Sequence, residues 1–205
     1  MNIYLHQNDL PDGLKLGSTI AIDSETMGLK MGRDRLCLVQ ISDGNNEAHL
    51  IQFDSNSDYQ APNLKALLQD TEKLKLFHYA RFDMAMIYAH LGVMITPVYC
   101  TKIASKLVRT YTDKHGLKNL VQEFLGHDIS KVQQSSDWGA LQLSEAQQRY
   151  AAEDVLYLHS LKERLDQMLN REGRSAIAQQ CFDFLKTRVH LDLAGFETMD
   201  IFSHS

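Results

Sequence analysis

The spacing of apolar residues changes partway along the chain. Runs at 18–24 (STIAIDS), 35–42 (RLCLVQIS), 48–53 (AHLIQF) and 74–78 (LKLFH) are alternating or continuously apolar over strand-length stretches, which predicts four β-strands. Gly17 bounds the first, and Asp43-Gly44 between the second and third predicts a hairpin. Pro62 opens a helix running to Gln69, which returns the chain to the fourth strand. A helical period then holds over 81–91, 101–109, 116–125, 144–170 and 173–185, punctuated by Gly92, Gly116, Gly126, Gly139 and Gly173. Ser144, with Gln147 three residues later, forms a capping-box signature for the longest of these helices. What remains is a long loop, 127–143 (HDISKVQQSSDWGALQL), of a size that is often functional. Strands come first and helices fill the second half, so the pattern predicts an α/β or α+β sheet flanked by helices.

Composition narrows the class. A chain of 205 residues buries a substantial core and is too short to divide into two ordinary domains, so one domain over 1–205 is expected. At 44% hydrophobic and 23% charged it sits among soluble globular proteins. The opening MNIYLHQNDL lacks the pattern of a secretory signal, and the apolar region 84–95 is broken by His90 and Gly92, so no membrane span is expected. Cys37, Cys100 and Cys181 are odd in number and widely spaced, which favours reduced thiols in a cytoplasm over disulfides or a zinc site. The net charge of −5 argues against a long clamp on a nucleic-acid backbone. A nucleic-acid contact would have to be short, or its cations gathered on one face. Bound metal would also neutralise part of the acidic count.

The acidic residues carry the chemistry. Asp23 and Glu25 lie at the end of the first predicted strand, on one face because they are two residues apart, where both can reach one cation. Alone the pair proves nothing: Asp70-Thr71-Glu72 repeats it in a polar helix-end segment with no strand feeding it. Asp83 follows the fourth strand in the first turn of a helix, where the helix dipole alone would favour a carboxylate. Tyr150 and Asp154, four apart on the long helix, share a face, as do Tyr79 and Asp83. The conjunction separates the true motif from its copies: Asp-x-Glu on a strand, Asp after a later strand, Tyr-x-x-x-Asp on a late helix.

In that order the motifs resemble the DEDDy 3′→5′ exonucleases, in the RNase D-like branch, over essentially residues 18–170. Thr26-x-Gly28-Leu29, the strand Leu36–Ser42 and Ser136-Asp137-Trp138 extend the resemblance, and His78 stands where many superfamily members have Asn. The segments 100–107, 109–113 and 200–205 are similar to the nano-RNase C family of stand-alone bacterial oligoribonucleases, without the accessory helical RNA-binding domains of full-length RNase D. The resemblance implies a ribonuclease H-like fold and a ring-shaped homo-oligomer. It also implies two divalent cations, Mg²⁺ or Mn²⁺, held by Asp23, Glu25, Asp83 and Asp154. The expected reaction is 3′→5′ hydrolysis of very short RNA, such as dinucleotides, to nucleoside 5′-monophosphates, with the choice between RNA and DNA left open. In this reading Asp23 bridges, Glu25 and Asp154 hold the water-activating cation, Asp83 holds the second, and Tyr150 orients the attacking water.

Substrate contacts are less determined. Leu29 is read either as an apolar wedge between terminal bases or as a core-facing leucine after a turn. Lys102, Lys106 and Arg109 form a stripe on one helix face, either solvated or set for phosphate. His78 is expected as a hydrogen-bonding support, Thr26 at the site, Trp138 as packing, and Gln133 and Gln134 as contacts from the loop. Three other readings remain: an RNase D-like enzyme acting on longer RNA or DNA ends, a silent nucleic-acid-binding module, and an unrelated carboxylate-metal hydrolase.

Overall fold

The computed structural model describes residues 1–204. Six strands, β1 (Asn2–Gln7), β2 (Thr19–Thr26), β3 (Leu36–Ser42), β4 (Glu47–Gln52), β5 (Leu74–Phe77) and β6 (Val98–Cys100), form one mixed sheet in the order β1-β4-β3-β2-β5-β6. The predicted hairpin is the antiparallel β3–β4 pair; β2 pairs antiparallel with β3 and parallel with β5. Every residue of β3 is buried, which explains its unbroken apolar run at the sheet's centre.

Opposed residues in an antiparallel pair share a face, so the β2–β3 register sorts the site residues. Asp23 opposes Gln40 and Glu25 opposes Leu38, whereas Ser24 opposes Val39 on the other face. The first face packs through Leu38 and Leu50 against α5 (Glu145–Leu156), with Trp138, Leu143 and Ala151 completing the cluster. The second face meets α2 (Ala80–Leu91), whose Ala80, Met84 and Ile87 join the main core. The pairing shifts register between Glu25 and Thr26, a bulge that bends the strand where its carboxylates project.

The remaining helices are α1 (Pro62–Gln69), α3 (Thr101–Val108), α4 (Leu117–Leu125), α6 (Leu158–Arg171) and α7 (Ser175–Leu191). Ser144 and Gln147 form the expected capping box, Oγ accepting from Gln147 N (3.2 Å) and Oε1 from Ser144 N (3.0 Å). The predicted helix 144–170 is two helices, α5 and α6, divided at Tyr157. Its buried positions Ala151, Val155, Leu158, Leu161, Leu165 and Leu169 keep one helical phase across the break, so periodicity conceals it. Strands β1 and β6 were not expected. β1 is an edge strand exposed along most of its length, and β6 has three residues, so neither carries a strong alternation. α7 also runs past the predicted 185 to Leu191 and continues into a π-helical turn, Asp192–Phe196.

Candidate active site

Three elements deliver the acidic residues to one cleft of about 1040 Å³. The carboxylates of Asp23, Glu25 and Asp154 converge, with an oxygen of each within 4.8 Å of the others. Asp83, in the first turn of α2, approaches from the opposite face of β2 and stands outside that trio. It is held by Ser24, whose Oγ donates to Asp83 Oδ1 at 2.6 Å. The residue between the two carboxylates of β2 thus fixes the fourth, because alternation turns it toward α2. Asp70 and Glu72 are outside the cleft; the Asp70 carboxylate accepts from Glu72 N at 3.0 Å, a local turn.

Four carboxylates in so little water repel one another. Burial, then the charges of Asp83, Asp154 and Glu25, push the Asp23 carboxyl well above its usual range. Burial and the charges of Asp154 and Asp83 raise Glu25 to about 9, and burial foremost raises Asp83 and Asp154 each to about 7. Such a site needs protons or cations. All its donors are hard oxygens, a set suited to divalent cations such as Mg²⁺ or Mn²⁺.

The sign of the pH effect follows. Groups whose folded pKa is raised contribute stability below their unfolded values near 4, and lose it as pH rises through about 7 and 9. In EDTA the melting temperature should fall on the order of 5–10 °C from pH 6 to 9. Saturating Mg²⁺ should flatten that fall, because cations replace the protons. Scanning calorimetry across pH checks it; a metal-free curve as flat as the loaded one would refute the arrangement.

Tyr150 lies one turn before Asp154 on α5. Burial, then the charges of Asp154, Glu25 and Asp23, push its phenol far up, so it remains a proton donor at any working pH. Trp138 is buried as expected, with its ring 5.9 Å from that of Tyr150, and so it steadies the phenol. Tyr79, of the duplicate spacing, is the N-cap of α2, with its ring beneath the Lys102 ammonium at 4.3 Å.

The expected substrate contacts divide. Leu29 is 83% exposed on the cleft wall, which removes its core-facing reading. Its turn is tight: a Cβ on Gly28 would lie 2.3 Å from the Asp34 carboxylate, which accepts from Lys30 N at 2.9 Å. Thr26 lines the cleft and donates to Gly28 O at 2.5 Å. His78 also lines it, its Nδ1 2.9 Å from Thr101 Oγ1, and burial, then the charge of Lys102, lowers the ring to about 3. The ring is therefore neutral and held against the first residue of α3. Gln134 lines the cleft; Gln133 does not, but accepts at 2.5 Å from the Oγ of Ser136, which does.

The basic stripe does not hold as a unit. Lys102 lines the cleft, whereas Lys106 lines a neighbouring groove between α3 and α7. Arg109 is wholly buried, pairing with Glu123 and donating to Lys114 O (2.6 Å) and Ser105 Oγ (3.1 Å). The reason is that α3 ends at Val108, so Arg109 leaves the helical path and folds inward toward α4. Residues absent from the expectation are Lys118, just inside α4, Lys131 in the long loop, and Glu197 and Thr198 near the carboxyl end. The length of loop 127–143 was a usable signal for Lys131; nothing in sequence pattern pointed to the last two.

Comparisons agree with this geometry. Residues 7–170 match the family model of the 3′-5′ exonuclease domain. Ribonuclease D of Gluconacetobacter diazotrophicus is 36% identical over 155 residues, 76% of this chain but only 39% of the relative, so the chain spans about two-fifths of that protein's length. Two solved structures cover 100% of both chains: Brucella melitensis NrnC bound to pGG (54% identity, TM-score 0.95) and the same protein with bound Mg²⁺ (53%, 0.94). With four-fifths of its length in the domain match and the carboxylates gathered in one cleft, the chain belongs to the 3′-5′ exonuclease family.

Proposed function

We propose that the protein is a 3′→5′ exoribonuclease of very short oligoribonucleotides, dinucleotides above all, releasing nucleoside 5′-monophosphates. The observation that carries the reading is the convergence of Asp23, Glu25 and Asp154, with Asp83 held beside them by Ser24. Full-length similarity to a protein solved with pGG supports the short substrate, and its Mg²⁺-bound form supports the cation.

In this reading Asp23, Glu25, Asp83 and Asp154 hold two divalent cations, Mg²⁺ or Mn²⁺. When bound, the cations would supply electrostatic stabilisation of the phosphoryl oxygens and lower the pKa of a bound water. Tyr150, proton retained, donates a hydrogen bond that orients the incoming water. Ser24 Oγ, donating to Asp83 Oδ1, fixes the orientation of that carboxylate. Leu29, exposed on its tight turn, separates the terminal bases, and Lys102 and Lys131, which also line the cleft, meet phosphate charge. Gln134 and Thr26 flank the substrate, with His78 bracing the cleft lining through Thr101. A ring-shaped homo-oligomer and a cytoplasmic setting complete the proposal; the three cysteines are free thiols. None of the helices among the described residues is long and apolar enough to cross a membrane.

One assay tests it. Purified protein is given 5′-labelled RNAs from two to twenty nucleotides long, with Mn²⁺ or EDTA. Metal-dependent cleavage concentrated on the shortest RNAs is the expected result. Progressive shortening of long RNAs at equal efficiency would favour an RNase D-like activity instead, and absence of metal-dependent cleavage would overturn both.

A further inference from the structure

The exonuclease-domain match ends at residue 170, whereas similarity to the protein solved with pGG runs through the whole chain. α7, the π-helical turn and the tail therefore lie beyond the matched domain. That part reaches the cleft. Asp192, 4% exposed, is gripped from two sides: Arg81 Nε and Nη2 donate to its two oxygens at 2.5 and 2.7 Å, and Arg188 Nε donates at 2.9 Å. The same arginines hold the chain that follows, Arg188 Nη2 donating to Phe196 O (2.5 Å) and Arg81 Nη2 to Glu197 O (2.6 Å). Glu197 and Thr198 then line the cleft. Arg81 lies in the helical turn that carries Asp83, so the tail is fastened to the same turn as a site carboxylate.

We propose that this arginine–aspartate clasp sets substrate length. Two charge-assisted forks on one buried carboxylate are more than a tail needs merely to dock, and they fix two backbone carbonyls as well. They hold Glu197 as an anionic wall. A dinucleotide has one internal phosphodiester to place; each added nucleotide brings another negative charge, and the wall opposes it by bulk and by like charge. This is discrimination by repulsion rather than by added attraction. It rests on the short-substrate reading above.

The test uses the full chain with Glu197→Lys, which reverses the wall's charge at an exposed position, and Arg188→Leu, which loosens the clasp without touching the cleft. kcat/KM is measured on a dinucleotide and a heptanucleotide RNA. The heptamer-to-dimer ratio should rise about tenfold in each variant, with Arg188→Leu retaining dinucleotide hydrolysis. Arg188→Lys should restore most of the wild-type ratio. If the wild type prefers the dimer and both variants keep its ratio within about twofold, the clasp is not the determinant. If the wild type itself shows no preference, the short-substrate reading falls and the inference with it.

Discussion

Replacing Asp23 by alanine should lower hydrolysis of a dinucleotide by at least about 10⁴-fold, even with Mn²⁺ saturating. Among the four carboxylates, Asp23 is the one whose pKa is raised by the charges of all three others, so it sits at the electrostatic centre of the site. Its loss removes an oxygen donor from the trio with Glu25 and Asp154. The same substitution should have an opposite effect on folding without metal. It deletes one of four crowded like charges, so in EDTA at pH 8 the variant should melt no lower than the wild type, and it should gain less from added Mg²⁺. A globally damaged protein would lose on both counts. Near-normal turnover with saturating metal would sink the assignment.

Arg109→Ala should cost about 3–5 kcal/mol of stability, or on the order of 10 °C in melting temperature, with little change in KM for a short RNA. The guanidinium is fully buried and satisfies Lys114 O, Ser105 Oγ and Glu123 together. Truncation leaves those acceptors partly unpaired and opens a cavity between α3 and α4 beside Phe124, whose ring lies 5.5 Å from the guanidinium. If Arg109 instead met phosphate, the variant would melt normally and bind poorly. Urea denaturation and steady-state kinetics on one preparation separate the two, and a normal midpoint with a raised KM would reverse the structural reading.

The contrast between these residues shows what sequence makes legible. The clustered carboxylates were readable because each sits on a strong local signal: an apolar central strand, a strand-to-helix turn, and a capped helix. Their spacings fix which side chains share a face, and chain order does the rest. Ser24 was passed over because a residue between two candidate ligands points away from them; its partner Asp83 becomes visible only when α2 packs on the other face. Arg109 fitted a helical stripe by arithmetic, yet the helix stops one residue earlier, an event with no Gly or Pro to announce it. The α5–α6 break at Tyr157 is hidden for a similar reason, since the apolar phase is unbroken. Asp192 and Glu197 are the hardest case. Their importance comes from contacts with Arg81 more than a hundred residues away, which no local pattern encodes.

The crowding of the four carboxylates has a consequence outside catalysis. A cation that binds only the folded chain acts as a folding ligand: at a hundred times its dissociation constant it adds about 2.7 kcal/mol to stability. The free-ion level around the protein would then govern how often the chain opens to proteases as well as how fast it turns over. Starvation for divalent metal should therefore remove the protein from the cell by degradation as well as silence it, and restoring the ion would recover activity only as fast as new chains are made.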